Sequence, residues 1–375
     1  MKSRFSVSHL ALPLALVAVA VFFAVREPAF LGARNLTQLL IEFAMVGTLA
    51  LGMFLIILTG NIDLSVGSGV GLIGGLAAVL ITQHEWGAGP ALLAGLAAAI
   101  LLWTLMGALI VKQHIPSFII TLGGLLIFKG VFWLVIQSST VPVSRGDEDN
   151  AYSLLTTYYL PRSAGLGLAF VASLLVWVLC WRARAGRRVV GLPAAPWRET
   201  LAGPATVTVV LVVVALVCNR FRGVPLALVI LGGVTALVYF LTRHTPFGRY
   251  LYAIGGNEEA ARLSGIRVER VLIGAFAFMG AMVALTGFMT TAYSGASTTT
   301  VGELMELDAI AACVIGGTAL KGGRGTVWGV LLGALIMTVL LNGMTLLAVS
   351  PEMKFIARGA VLALAVWLDV KLGRA

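Results

Sequence analysis

Long apolar runs separated by short polar stretches follow one another along this chain. Twelve can be marked, at about 9–25, 37–59, 64–82, 89–111, 115–137, 163–181, 201–219, 223–242, 271–293, 306–319, 325–348 and 354–370. A helix of about 20 apolar residues, rising about 1.5 Å per residue, crosses a hydrocarbon core of about 30 Å. Polar and apolar positions do not alternate within the runs, which excludes a membrane barrel. The pattern predicts an all-α polytopic membrane protein of about 10–12 transmembrane helices, in a single membrane-spanning domain over 1–375. Segment 306–319 is short enough to be broken or re-entrant rather than spanning.

Composition agrees. Of the 375 residues, 59% are hydrophobic and only 11% charged, against roughly 25% charged in an ordinary soluble domain. With the N-terminus placed in the cytoplasm, the inside connections and tails hold 17 Lys and Arg and the outside ones 7. This bias predicts that both termini are cytoplasmic. It also accounts for the net charge of +10 without a nucleic-acid partner. The basic start and first apolar run resemble a secretory leader. Phe22 and Phe23, however, follow the small residues Ala18 and Ala20, which favours a retained first span. Cys180, Cys218 and Cys313 lie far apart in apolar segments, with no pairing or metal-ligand spacing.

The break at 60–75, "GNIDLSVGSGVGLIGG", puts a carboxylate and six glycines between apolar runs. Asp63 is a good helix cap, and Asn61, Ser65 and Ser68 can help satisfy the same helix end. Two placements are open: a tight turn at the cytoplasmic boundary, or a helix broken deeper in the bilayer, where unwound backbone lines a polar cavity. Gly67, Gly71 and Gly75 then recur every four residues, a bare stripe on one helix face. Gly325, Gly329 and Gly333 repeat the spacing after a second polar break, "GGTALKGGRG". Both stripes are expected to pack against neighbouring helices, and their shared direction suggests a parallel internal repeat. Glu42, Lys129, Glu306, Asp308 and Arg358 fall in or beside apolar runs. Glu42 and Lys129 are candidates to pair.

The connection 243–270 is too long for a tight turn. Within it, "GGNEEAARLSGI" reads as a short helix. Asn257 caps it, Glu258 and Glu259 oppose the dipole in the first turn, Ala260, Ala261 and Arg262 continue it, and Gly265 stops it. A surface helix kept in an inside loop suits docking to a soluble partner; the competing reading is an amphipathic helix on anionic lipid. No P-loop, zinc-protease or nucleophile-elbow motif occurs. The sequence predicts no catalytic residue, no metal and no directly bound cofactor, so any ATP must be used by another subunit.

"GNIDLSVGS", "IPSFIITLGG", "YAIGGNEEAARLSGI", "DAIAACVIGGTALKGGRGTVWGVLLGALI" and "LNGM" resemble permease subunits of bacterial ABC sugar importers. The likeness is to the xylose type within the ribose/branched-chain amino acid permease superfamily, and it covers most of the chain. It implies a pentose permease in the bacterial inner membrane. It implies as partners a second permease copy, ABC ATPase subunits and a periplasmic sugar-binding protein. It also implies that 255–266 is the coupling segment, with Glu259, Ala260, Ala261 and Gly265 matching the E-A-A-x-x-x-G pattern of importer coupling loops. Ala275 stands where that pattern usually has a later Ile. The rival expectation is an ion-coupled sugar transporter acting alone, with Glu42 and Asp63 as coupling sites.

Overall fold

Each of the twelve apolar runs folds as a helix in the computed structural model, which describes residues 8–146, 149–189 and 197–372. Lys2, Arg4, Asp147, Glu148, Arg374 and positions 190–196 of the basic connection lie outside the described residues. In chain order come α1 (Ser8–Arg26), a 3₁₀ turn (Pro28–Leu31), α2 (Ala33–Leu58), α3 (Val66–Thr82), α4 (Ala88–Gln113) and α5 (Ser117–Val135). The four-residue α6 (Leu154–Thr157) precedes α7 (Arg162–Val189), α8 (Trp197–Asn219) and α9 (Leu226–His244). Two short helices, α10 (Pro246–Gly256) and α11 (Glu258–Leu263), lead to α12 (Val268–Ser294), α13 (Met305–Ile315), α14 (Val327–Leu346) and α15 (Pro351–Leu372). Among the described residues, eight helices are long and apolar enough to cross a membrane, and the apolar stretches 12–26 and 66–82 are shorter.

Local chemistry sets the helix ends. Pro246 opens α10 behind Thr245, whose Oγ1 accepts from Gly248 N. Thr326 Oγ1 accepts from Gly329 N at the start of α14. His114 closes α4 in the left-handed conformation and Pro116 precedes α5, a stop that lets the next helix reverse. Where helices do not reach, two short antiparallel ladders tie the connections. β1 (Val141–Pro142) pairs with β4 (Ala296–Ser297), and β2 (Tyr159–Leu160) pairs with β3 (Val224–Pro225).

The core is α2, buried along most of its length, with α12 and α14 against it. α3 and α4 pack on α12, and α5 packs on α3. α7 and α8 form a peripheral hairpin, joined where Trp177 Nε1 donates to Thr208 Oγ1 at 3.1 Å. α1 lies along α14, with the Phe23 ring where a side chain on Gly343 would be.

The connections 59–65, 245–267 and 316–326 meet at one end of the bundle. Gly323 N donates to Leu58 O at 2.9 Å. Gly255 lies so close to Leu58 O and Gly323 N that a Cβ there would overlap both. The β1–β4 ladder, past the far ends of α5 and α12, lies at the other end.

Between β4 and α13 the chain does not fold as a helix. Residues 298–304 form a run of turns, in which Val301 N donates to Thr298 O and Glu303 N to Thr300 O. This run descends beside α3: Ser297 is level with Gly75, Val301 with Gly71 and Gly302 with Gly67. α13 then continues to Gly316, beside the connections of the opposite end. Segment 306–319, expected to be short and re-entrant or broken, is therefore the helical half of one complete traverse.

That traverse adds to the reading of the first glycine stripe. Gly67, Gly71 and Gly75 were expected to receive a helix; Gly71 and Gly75 receive the Phe132 ring of α5, and beside it the stripe takes the non-helical backbone of Val301 and Gly302. A Cβ on Gly71 would lie 2.5 Å from Val301 O and 2.7 Å from the Phe132 ring. A Cβ on Gly67 would overlap the Glu306 carboxylate, and one on Gly75 would lie 2.7 Å from Phe132. Close helix-to-helix approach uses other glycines of the bundle. A Cβ on Gly74 would meet Gly287 O of α12 at 2.7 Å, and one on Gly280 would meet Ala99 O of α4 at 2.5 Å.

The second stripe needs a correction. Gly329 and Gly333 do face a helix, taking the backbone of Gly316 and Ala312 at the end of α13. Gly325 lies two residues before α14, on the loop, where a Cβ would meet Phe54 of α2 at 2.7 Å. Thr326 caps the helix after it, so the echo of three is two on the helix and one outside.

Gly71→Leu should cost more than the ~1–3 kcal/mol of ordinary core overpacking, because the obstacle includes backbone. Reduced membrane abundance and a lower melting temperature in detergent would report it. Gly123→Ala on α5, with nothing within 4 Å of its added Cβ, should match wild type in both.

Candidate functional site

The polar break begins at exposed Gly60 and turns inward, so that Asp63 and Ser65 are fully buried. Asp63 does not reach the first-turn amides of α3. Its Oδ1 accepts from Ser65 N at 2.9 Å and Ser65 Oγ at 2.6 Å, and its Oδ2 accepts from Trp103 Nε1 of α4 at 2.6 Å. Ser65 occupies the cap position without a side-chain bond to the helix. Ser68 Oγ donates to Ser65 O, and Asn61 Nδ2 donates to Thr59 Oγ1 at 3.0 Å. Ile62 is held on both sides: its N donates to Ser117 Oγ and its O accepts from Thr121 Oγ1 of α5. The break therefore ties the start of α3 to α4 and α5.

The expected pairing of Glu42 with Lys129 does not form. Glu42 accepts from Tyr293 OH at 3.2 Å and from Asn342 Nδ2 at 3.1 Å. Asn342 Oδ1 in turn accepts from Asn35 Nδ2 at 3.0 Å. These bonds join α2, α12 and α14. Lys129 lies on α5, which packs on α3, and its Nζ is 5.5 Å from the Trp133 ring. Asp308, nearly buried, pairs instead with Arg358 of α15 at 3.1 Å. Among the described residues no three His, Cys, Asp or Glu converge as metal ligands.

The most exposed built element is α11. Asn257 Oδ1 accepts from Ala260 N at 2.9 Å, satisfying one of the free amides of the first turn. Glu258 and Arg262 pair across one turn at 3.0 Å. Gly265 ends the element at φ +83 with open space around it. Ala261 is buried, whereas Asn257, Glu258, Glu259, Ala260 and Arg262 are exposed and Leu263 is 84% exposed. The result is a short, pre-ordered knob whose outer face has no partner among the described residues.

Its base is anchored. α10 packs on α2, α9 and α12. Tyr252 OH donates to Gly325 O at 3.0 Å. Burial raises the Tyr252 pKa, with Arg243 working the other way, so the hydroxyl remains a neutral donor at physiological pH. A displacement of α11 would therefore be passed to the end of α2, to the loop before α14 and to the end of α13. Trp103 and Tyr252 were not singled out in the sequence. Their partners are 40 and 73 positions away, and no local pattern marks them.

Removing Arg358 leaves the Asp308 carboxylate buried without its cation, a loss of about 3–5 kcal/mol. Arg358→Met should therefore lower the melting temperature clearly. Asp308→Leu combined with Arg358→Met should recover most of that loss, because replacing both partners with apolar groups leaves no buried charge. A double-mutant cycle on the purified protein checks this.

Comparison with known proteins places this geometry. Residues 35–366 match a family described as branched-chain amino acid transport system / permease component. The chain is 40% identical over 364 residues to the xylose transport system permease protein XylH of Escherichia coli (strain K12), covering 95% of this chain and 90% of that one. It is 38% identical over 361 residues to the xylose transport system permease protein XylH of Haemophilus influenzae, covering 94% of each. To the ribose import permease protein RbsC of Escherichia coli (strain K12) it is 32% identical over 358 residues, covering 96% of this chain and 92% of that one. No solved structure matches.

Proposed function

The chain belongs to the family of branched-chain amino acid transport system permease components, and on that premise we propose that it is the membrane subunit of an ATP-driven importer of a pentose such as xylose. The likeness to xylose permeases along nearly the whole chain carries this reading. The chain forms the translocation path, two copies assemble, and a separate ABC ATPase uses the ATP. A periplasmic binding protein delivers the sugar. Both termini and the α10–α11 connection face the cytoplasm, on the distribution of Lys and Arg.

Within this reading, α11 is the part the ATPase grips. ATP-driven closure moves the knob of residues 257–265, and α10 carries that motion to the loops at its base. The packed, glycine-rich contacts favour rigid elements shifting against one another over local melting, since close-packed interiors have discrete arrangements. The rival, an ion-coupled carrier acting alone, would need titrating groups free to exchange protons. Glu42 and Asp63 are instead held by Tyr293 and Asn342, and by Ser65 and Trp103.

The deciding experiment is reconstitution of the chain in liposomes with its ATPase and binding protein. Sugar uptake should require all three and ATP. Uptake by the chain alone, abolished by dissipating an ion gradient, would establish the rival. Glu259→Lys reverses an exposed charge on α11. It should leave membrane abundance unchanged, lower uptake at least tenfold and weaken co-purification with the ATPase. Uptake and co-purification at wild-type levels would remove the docking role of α11.

A further inference from the structure

Where the run of turns meets α13, a crevice of about 170 Å³ opens between α3, α5 and the turns. Its polar lining is Ser68 of α3, Lys129 of α5, Thr299, Glu303 and Glu306; Phe132 and Val301 supply apolar wall. At about 30 Å³ per water, it has room for five or six waters, or one small polyol. Its depth follows from α13. Eleven residues at ~1.5 Å each cover about half of a ~30 Å core. Since α13 ends beside the loops under α11, Glu306 in its first turn lies near the middle of the membrane. Sites built where helices are interrupted at that depth are a recurring transporter design.

Glu306 is the unexplained group. Its side chain is only 7% exposed and lines the crevice. Its carboxylate has no side-chain hydrogen-bond partner among the described residues, while the charges of Asp308, Arg358 and Lys129 act on it only through space. A buried carboxylate without a bonded partner is costly unless something occupies its remaining lone pairs. The protein makes room for it, since the space a Cβ of Gly67 would fill is taken by this carboxylate. Leu304, the residue that opens α13, is held at φ +61, a left-handed conformation that is unfavourable for a non-glycine residue. The backbone is thus held in a strained turn just where it presents Glu306.

We propose that this crevice is a way-station for the transported monosaccharide, with Glu306 accepting from sugar hydroxyls and Lys129 donating to them. Lys129 set against Glu303 and Glu306 gives the lining both donors and acceptors, as the hydroxyls of a neutral polyol need. Phe132 and Val301 supply apolar surface for the C–H face of a sugar ring. Ser68 Oγ, which donates to Ser65 O, keeps its lone pairs for a further hydroxyl. A contact of this kind would let the membrane path add its own discrimination between sugars to that of the delivering protein. The proposal rests on the transport reading above.

The test uses the reconstituted importer with radiolabelled D-xylose, D-ribose and L-arabinose, and follows ATP hydrolysis in parallel. Glu306→Gln and Lys129→Met should each keep binding-protein-stimulated ATP hydrolysis within twofold of wild type. Each should lower xylose uptake at least tenfold and change the preference among the three sugars. Wild-type uptake with unchanged preference in both variants overturns the proposal. Loss of uptake and ATP hydrolysis together also overturns it, by marking both residues as structural. Should either variant fail to accumulate, Ser68→Cys in a Cys180→Ser background carries the test: xylose under turnover should slow its alkylation at least threefold, and no protection overturns the proposal. A wild-type importer that moves none of the sugars would remove the transport reading itself, and this inference with it; a working wild type with unaffected variants removes the crevice alone.

Discussion

The structure depends on covering one stretch of non-helical backbone inside an apolar bundle. Residues 298–304 run as turns beside α3, from the level of Gly75 to that of Gly67. Turns satisfy only some of their own amides and carbonyls, and lipid offers no hydrogen bonds. The chain meets this cost by keeping the stretch away from lipid. α3 presents Gly67, Gly71 and Gly75 to it, so the two backbones approach without side chains between them. Gly302 returns the same concession: a Cβ there would overlap the Gly67 carbonyl. α14 then receives the helical half of the traverse at Gly329 and Gly333. The segment from β4 to the end of α13 is thus held between two glycine-bearing helices that run in the same direction.

The same economy of side chains governs the end of the bundle beneath α11. Gly60, Gly255, Gly322 and Gly323 bring three connections into backbone contact. A Cβ on Gly322 would lie 2.8 Å from Gly255 Cα and 2.7 Å from Gly60 N. Side chains with free rotamers would absorb a push; apposed backbones transmit it. A force on α11 therefore reaches α2, α3 and α13 through contacts with little slack. α13 and α3 are also the elements that frame the mid-membrane crevice. The loops beneath α11 and the polar crevice are joined by one traverse.

The helices were legible in the sequence because lipid imposes a length on each apolar run. The start and stop of α11 were legible because Asn257, Glu258, Glu259 and Gly265 each have a local reason to stand where they do. The half-helix traverse was only partly legible. Its short apolar run was visible, but turns at 298–304 carry Thr, Gly and Glu that read equally well as a surface loop. The glycine stripes were visible as bare faces, yet spacing does not say what fills a groove. Gly74, one position off the stripe, makes the contact with Gly287 of α12, whereas the stripe itself takes turns and the Phe132 ring of α5. The partners of Asp63 and Asp308, and the failure of Glu42 to meet Lys129, are questions of three-dimensional arrangement on which a linear pattern is silent.

The arrangement of charge follows from the traverse as well. A helix that begins at mid-membrane exposes the positive end of its dipole where water cannot screen it. Glu306 and Asp308 in the first turn of α13 answer that potential. The two carboxylates are then treated differently. Asp308 turns toward α15 and is bound by Arg358, which neutralises it and fastens α15 to the traverse. Glu306 turns toward α3, where Gly67 leaves it space, and lines a crevice with Lys129 of α5. One charge is spent on holding the fold. The other stays in an open crevice, on a segment whose far end meets the loops beneath α11.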